Sequence, residues 1–514
     1  MISLHANFAS TAIITIMNYK VYPERWRHGH PTKDVLSTDL YYSQVATKVA
    51  EILRQSLLYE AFETVDDLLT TAVHVTAWFE DIISNLGMWR VFNEECTKRY
   101  GKPLPFYDTT TYYPNEPNVQ DLQFLLWDNV QSLYMDRFMN PENPAIMATA
   151  EMLCELFDEE YPTAPETEEL YEFLHDGEKL SNYWHARLIF EWLAQTAYVS
   201  AREREYTQSL VDEALYEKKS ELPVDMQIYT IHVQSVIGGQ HNILSLTPPQ
   251  WLARIAGDEL FNNVHMKPVS FYLVVGEDDT YFHVKDLVAD SCLDIAKDSF
   301  IPGTFNGCEP IPNKTVFICN LVSYKGENYQ IGIMSQNTIE HTSQKTLDEL
   351  RQKSRQTEKG SYPHFLKASG GEPVVFCEDT EEVKQFYRKM SNTPSANKAE
   401  VDKALDLALQ YCHGIALVGD LYGGVSILPH MACCIKAANN PYYNKERAEK
   451  EAHALIFNPE SISYGAVCAL LDHNLLPDAN ITSMKGDDYG RQFLHKNAQY
   501  LVDYFYAHNR EYDL

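Results

Sequence analysis

The chain has 514 residues, of which 45% are hydrophobic, and it carries a formal net charge of −30. It is long enough for more than one domain at roughly 150 residues each, and apolar enough to bury ordinary cores, which excludes wholesale disorder. A surface this acidic repels the phosphates of nucleic acids and of anionic lipids, so it suits a soluble protein or one with basic partners.

Ten cysteines are scattered along the chain without a Cys-x-x-Cys pair. This pattern is typical of reduced thiols in a cytoplasmic protein. No run approaches the ~18 apolar residues of a membrane helix, so we expect no membrane partner. Residues 1–16 lack Lys and Arg before a short apolar stretch, and Met17 is a plausible alternative start. We interpret 1–16 as an extension without a folded role, with an N-terminal strand as the alternative.

Helical periodicity dominates residues 17–222, which we predict to form a helical domain. In the segment 63–87, apolar residues such as Val75, Trp78 and Phe79 fall on one stripe, and Gly87 interrupts it. Short connections containing Pro and Asn separate the predicted helices, as in a helical array.

The period changes to alternation in the next region, 223–339, which we predict to be β-rich. One hairpin turns at a Gly-Glu-Asp-Asp sequence and a second at Lys325-Gly326, so 268–335 is expected to form a small barrel of about five strands, SH3-like or OB-type. Its predicted core is Tyr272, Val274, Phe282, Val284, Phe317 and Cys319.

Residues 340–372 are polar and locally basic, which indicates an exposed linker or flap. Pro and paired Gly between Ser361 and Gly371 disfavour continuous helix or strand. The alternative is a helix over 345–358 packed by Leu347 and Leu350. Residues 373–514 are expected to be mainly helical. The predicted fold class is therefore α+β: a helical N-terminal domain, a small β-barrel and a helical C-terminal region.

The stretch 413–436 resembles a phosphate-binding loop, with Gly419 and Gly424 separated by four residues. Val425 stands where such a loop needs Lys, and Asp420 places an anion inside the anion site. We therefore interpret it as a turn in which Gly423 and Gly424 supply unusual backbone angles, and we expect no ATP binding.

The same stretch holds candidate zinc ligands, Cys412, His413, His430 and Cys433, with Cys434 adjacent. Their spacing matches no standard zinc motif, and the apolar sequence 427–436 suits a buried helix with free thiols. We predict no cofactor, with zinc as the alternative.

Asp67, His74 and Asp81 recur at seven-residue intervals, which places them on one edge of a helix. Together with Glu172 they are candidates for a metal-assisted hydrolase site. The alternative is that they form the polar border of an apolar face.

Aromatic residues in the barrel could stack nucleic-acid bases, as in OB-type folds. The surrounding sequence is strongly acidic, however, so core packing is the favoured interpretation. The six residues are Phe271, Tyr272, Tyr281, Phe282, Tyr324 and Tyr329.

Two segments, WFEDIISNLGMWRVFNEECTKRYGKPLPFY (78–107) and YYPNEPNVQDLQFLLW (112–127), resemble an uncharacterised domain-of-unknown-function family of cytoplasmic proteins from gut Bacteroidetes. The resemblance covers Met17 to the C-terminus. It implies a bacterial, intracellular, non-secreted protein, and it implies no reaction and no catalytic residues.

We found no complete catalytic constellation in the sequence, so we expect a non-enzymatic binding or scaffold protein whose partner is a protein or a small molecule. The expected ligand site is the groove between helical body and barrel. The alternatives are the metal-assisted hydrolase and a nucleic-acid-associated protein acting through the barrel.

Overall fold

The computed structural model describes residues 19–114, 116–135, 137–217, 223–301, 304–305, 309–356, 362–390, 398–451, 455, 457–476 and 487–506. The predicted extension, 1–16, lies outside them. The described chain is mostly helical, with one closed five-stranded barrel and a small three-stranded sheet. The expected α+β class with a helical C-terminal region is therefore confirmed.

The helical body is built from helices that precede the barrel. They are α1 (Pro23–His28), α2 (Asp39–Gln55), α3 (Val65–Ser84), α4 (Met88–Tyr100), α5 (Val119–Leu133), α6 (Pro144–Glu160), α7 (Glu168–His175), α8 (Tyr183–Gln195), α9 (Ala201–Glu217), α10 (Val224–Gly238) and α11 (Pro248–Ala256).

The central helix α3 shows how local sequence sets these boundaries. Thr64 and Asp67 form a capping box that satisfies the first backbone N–H groups. The helix ends at Asn85 in the left-handed conformation, and Gly87, with φ of 102°, turns the chain into α4. The predicted interruption at Gly87 is confirmed, and Trp78 and Phe79 are fully buried.

The barrel closes in the order β1-β2-β3-β5-β4. Its strands are β1 (Ser270–Glu277), β2 (Tyr281–Asp286), β3 (Ser291–Ala296), β4 (Thr315–Tyr324) and β5 (Glu327–Thr338). The β3–β5 pair is parallel and the others are antiparallel, which is the OB-type arrangement. Lys325 and Gly326 have φ of 48° and 90°, as a two-residue hairpin turn requires. All six residues of the predicted core are buried.

The segment 340–372 differs from the expected linker, because it contains α12 (Gln344–Gln356) and α13 (Tyr362–Ser369). Pro and paired Gly were expected to disfavour a continuous helix between Ser361 and Gly371, and this expectation is wrong for Tyr362–Ser369. Pro363 occupies the first turn, where a helix tolerates proline, and the left-handed Gly370 and Gly371 follow the last helical residue. Leu347 of α12 is buried, as the alternative prediction held.

The C-terminal region combines helices with the sheet β6 (Val374–Cys377), β7 (Ile415–Gly419) and β8 (Val425–Leu428), in which β7 is central and buried. The buried helix predicted over 427–436 is wrong: β8 ends there, and a 3₁₀ turn, Ala432–Cys434, follows Pro429. The helices are α14 (Thr380–Met390), α15 (Lys398–Leu409), α16 (Lys445–Glu451), α17 (Tyr464–Asp472) and α18 (Asp487–Phe505).

The last helix, α18, lies in the core of the helical body. The Phe493 ring stacks 5.8 Å from Phe106, and the Tyr504 hydroxyl donates to Asp128 over 2.8 Å. Arg202 donates to the carbonyl oxygens of Tyr504 and Phe505. The two ends of the described chain therefore share one core. Among the described helices, none has the length and apolar character that a membrane crossing requires.

Candidate functional site

The short helix α7 is flanked by two surface pockets. Its apolar side, Leu170 and Leu174, is buried against the body, so its acidic side faces solvent. The first pocket has a volume of about 250 Å³. It is lined by Ser37, Glu166, Glu168, Glu169 and Glu172.

The second pocket follows directly at the other end of α7 and has a volume of about 780 Å³. It combines charged groups with the indole of Trp184 and with Leu188, which is 46% exposed. Its complete lining is Asp176, Glu178, Lys179, Ser181, Asn182, Trp184, His185 and Leu188.

Contacts with the barrel fix the wall of this second pocket. Trp184 donates from Nε1 to Asp298 over 2.9 Å, and the Tyr183 ring stacks on Tyr329 at 4.2 Å. The Tyr324 hydroxyl donates to the carbonyl of Leu180. The pocket therefore lies beside the junction of helical body and barrel, on the helical side of the groove expected from the sequence.

A buried polar network anchors the start of α7, and the sequence analysis missed it. Thr167 donates from Oγ1 to Glu80 over 2.6 Å, and the His30 imidazole lies 2.9 Å from the other oxygen of Glu80. Asp39 lies 3.8 Å from the same imidazole. Burial lowers the pKa of His30, but the Glu80 and Asp39 carboxylates reverse this and leave that pKa raised. No local spacing signals the cluster, because its members come from distant parts of the sequence.

Two of the hydrolase candidates, Asp67 and Glu172, lie near the protein surface. The Asp67 carboxylate accepts the Thr64 backbone N–H over 2.8 Å and so caps α3. Glu172 is exposed and lines the first pocket. Neither environment resembles the shared, partly dehydrated cleft that a hydrolase needs.

The other two candidates, His74 and Asp81, are buried in separate networks. His74 contacts Asn129 at 2.8 Å and Arg204 at 3.3 Å, and burial together with the Arg204 charge lowers its pKa to about 3. Asp81 accepts backbone N–H groups at the start of α4, including that of Trp89 at 2.7 Å. Asp67, His74 and Asp81 thus have different partners, and Glu172 lies on another helix, α7.

The four zinc candidates do not meet at one place. The Cys412 sulfur lies 4.0 Å from the His430 imidazole, and His413 is exposed. Cys433 lies instead beside Cys434 and Glu451, with a sulfur–sulfur distance of 3.8 Å. Glu451 has no sequence signal, because it belongs to a charged helix that is typical of a solvated face.

The phosphate-loop stretch forms the turn between β7 and β8. Gly423 and Gly424 have φ of 138° and 94°, so the predicted glycine turn is confirmed. The Asp420 carboxylate accepts the backbone N–H groups of Tyr422 and Gly423. It therefore fills, with its own charge, the place where a phosphate would bind.

Most of the candidate aromatic residues of the barrel lie in the core. Four of the six candidate aromatic residues, Tyr272, Phe282, Tyr324 and Tyr329, are buried, which confirms core packing for them. Outside, His283 lies between Asp278 and Asp294, and Lys285 pairs with Asp290. The β4–β5 turn, which binds ligands in many OB-type barrels, is covered by the body through Lys325 and Asp258.

Comparison with known proteins identifies a family. The sequence model of a family described as "Protein of unknown function (DUF3843)" matches residues 20–291 and 330–507. It therefore spans the helical body, the first two barrel strands, most of β5 and the C-terminal region. No curated protein and no solved structure matches the chain. Since the match covers well over half of the sequence, the chain belongs to the DUF3843 family of proteins of unknown function.

Proposed function

We propose that this protein is a non-enzymatic binding protein that holds a positively charged segment of a partner protein along α7. The observation that carries the proposal is the pair of pockets at the two ends of this helix. Together they offer an indole, an exposed leucine and a row of carboxylates within one continuous stretch, 166–188.

The charge of the surface selects the partner. The stretch 166–188 contains six carboxylates against the two bases Lys179 and Arg187, so it keeps an acidic excess; the carboxylates are Glu166, Glu168, Glu169, Glu172, Asp176 and Glu178. Carboxylates attract Lys and Arg side chains, while Trp184 and Leu188 provide apolar area for an aliphatic neighbour. A chain with a net charge of −30 also accelerates encounter with a basic partner.

The test uses two fluorescently labelled peptides, one of alternating Lys and Leu and one of alternating Glu and Leu. Anisotropy measured with the full-length protein at low salt should show binding of the first peptide only, weakened by added salt. The double variant Glu172→Lys, Glu178→Lys should bind at least about 10-fold more weakly, since each rim charge contributes about 1 kcal/mol. Leu188→Lys should weaken binding as well.

Matched controls separate this surface from general acidity. Glu60→Lys reverses an exposed charge in the 3₁₀ helix Leu57–Ala61, which follows the C-terminal end of α2, whereas Ser37 precedes the N-terminal end of that helix, which is about 25 Å long. Leu215→Lys replaces a leucine that is 46% exposed, as Leu188 is. Neither control should change the affinity. Equal binding of both peptides, or equal losses in variants and controls, would contradict the proposal.

We also propose that the protein works in the bacterial cytoplasm. The support is that every cysteine described by the structure has a free thiol, as reducing compartments favour. Fractionation of the native host cells tests this; recovery of the protein outside the cytoplasm contradicts it.

A further inference from the structure

Three potential metal ligands meet where the C-terminal sheet ends. Cys433 and Cys434 belong to the 3₁₀ turn after β8, and Glu451 is the last residue of α16. The turn and the helix are held together because Asn444 donates its backbone N–H to the carbonyl of Cys433 over 3.1 Å. The Asn440 side chain donates to the carbonyl oxygens on both sides of the cysteine pair, each at 2.7 Å. The backbone therefore fixes the three side chains in one place.

The distances match a tetrahedral ion. The two sulfurs are 3.8 Å apart, and the Cys433 sulfur is 3.7 Å from Glu451 Oε2. All three ligand atoms lie within 4.8 Å of one another. Zn²⁺ bound tetrahedrally at about 2.3 Å to sulfur and about 2.0 Å to oxygen requires S···S and S···O separations of about 3.8 and 3.5 Å. Two of the three separations thus match a zinc tetrahedron, and the third, between the Cys434 sulfur and the Glu451 carboxylate, is at most 4.8 Å.

The burial and the charge of these three residues also suit a bound cation. Cys433 and Cys434 are 5% and 0% exposed, while the Glu451 side chain is 38% exposed. An ion can enter from the Glu451 side, where a water molecule completes its coordination. Arg447 pairs with Glu451 at 3.2 Å, and Arg447 is itself 55% exposed. Its guanidinium can move aside into solvent.

We infer that Cys433, Cys434 and Glu451 bind a thiophilic divalent cation, and that Zn²⁺ is the ion this geometry fits. Two thiolates and one carboxylate prefer zinc to magnesium or calcium, which take oxygen ligands. The site differs from the set predicted from spacing, since it excludes Cys412, His413 and the His430 ring. It is independent of the peptide-binding surface on α7.

Cobalt provides the direct test. The full-length protein, reduced with a phosphine and freed of metal by a chelator, is titrated with Co²⁺. We expect one equivalent to bind with a sulfur-to-cobalt charge-transfer band in the near ultraviolet and with the visible bands of tetrahedral cobalt. One equivalent of Zn²⁺ should remove both. A wild-type protein that binds no Co²⁺ or Zn²⁺, or only without the charge-transfer band, overturns the inference.

Variants assign the ligands. Cys433→Ser and Cys434→Ala should lose the charge-transfer band, whereas Cys412→Ser and the exposed-thiol control Cys292→Ser should keep it. Loss of binding in Cys412→Ser with full binding in Cys434→Ala overturns the assignment. Because a buried substitution can disturb folding, Zn²⁺ binding is also measured in two variants of partly exposed residues. Glu451→Gln should weaken Zn²⁺ binding at least 10-fold, and Arg447→Gln should strengthen it several-fold by releasing Glu451. No change in either variant counts against the site.

Discussion

The barrel and the helical body use buried charge in opposite ways. The barrel core is a cluster of apolar side chains around Phe282 and Phe317. Beside it, the buried carboxylate of Asp286 accepts a hydrogen bond from the hydroxyl of the neighbouring Ser270. The helical body buries many ionisable residues, including Glu80, Asp81, Asp121, Asp128, Arg202 and Glu203, each at most 6% exposed.

The partners of these buried charges are far apart in the sequence. Asp128 is bonded to Tyr504, 376 positions away, and Arg202 to the carbonyl of the same tyrosine. An apolar core tolerates approximate packing, whereas a buried charge is stable only with its own partner. The barrel is therefore held mainly by apolar area, and the body additionally by specific polar pairs. The following experiments break or sharpen this contrast.

The largest effect is expected in the barrel. Val284 is fully buried, and Val284→Asp places an unpaired carboxylate among apolar rings. This costs on the order of 5 kcal/mol, comparable with the stability of a small domain, so the barrel should unfold. The control is Val275→Asp on β1, where the side chain is 38% exposed. Circular dichroism and thermal unfolding should separate the two; equal melting curves would show that the apolar cluster does not hold the barrel.

The next largest effect should come from Arg202 in the body. Arg202→Met keeps the apolar stem but leaves two carbonyl oxygens and the Asp128 carboxylate without their cation. We expect a loss of about 3–5 kcal/mol in the free energy of unfolding. Arg187→Met removes an i,i+4 pair with the partly exposed Glu191 and should cost less than about 1 kcal/mol. Denaturant titration measures both. Similar losses would mean that burial of the pair is unimportant.

The pH dependence of the body tests Asp128. Burial raises the pKa of Asp128 to about 7, above the value of about 3.9 in an unfolded chain. The folded carboxyl keeps its proton between these values, so its contribution to stability is full below pH ~4 and is lost as the pH rises through 7. Asp128→Asn is neutral throughout, and Tyr504 can still donate to it. Its melting temperature relative to wild type should therefore rise from pH 5 to pH 8. A flat difference for Asp128→Asn contradicts this assignment.

The smallest effects concern Asp67 and Glu172, the two hydrolase candidates near the protein surface. Asp67→Ala removes one half of the α3 capping box and should cost about 1 kcal/mol. Glu172→Ala changes an exposed side chain and should stay within about 0.5 kcal/mol. Thermal unfolding distinguishes the two values. A large loss of stability in Glu172→Ala would contradict this prediction and would show that the exposed Glu172 side chain stabilises the fold.

Sequence periodicity predicted the barrel well because its determinants are local. Alternation identified the buried positions, and the Lys325-Gly326 turn fixed one register. The helix α13 was not predicted, because Pro363 and the glycines were interpreted as helix breakers without regard to their positions at the two ends of the helix. The central strand β7 was not predicted, because the stretch 413–436 was interpreted only as a glycine turn and the neighbouring strands β6 and β8 are short.

The candidate sites were harder to predict because their members are distant in sequence. The spacing of Asp67, His74 and Asp81 is real, but their environments come from Thr64, Asn129 and the start of α4. Glu451 lies beside the two cysteines because α16 packs against the 3₁₀ turn. The spacing of residues along the sequence does not reveal contacts of this kind, because they form between distant segments.

The position of α18 has a consequence for synthesis. Phe106 and Asp128 leave the ribosome hundreds of residues before Phe493 and Tyr504, which complete their surroundings. During that interval the nascent helical body has an open apolar cleft and an unpartnered acid, while the barrel can close as soon as β5 emerges. Nascent chains with such clefts are the usual substrates of ribosome-associated chaperones. Docking of α18 is therefore needed to complete this core, and a chain that ends before residue 487 lacks Phe493 and Tyr504 and leaves the surroundings of Phe106 and Asp128 open.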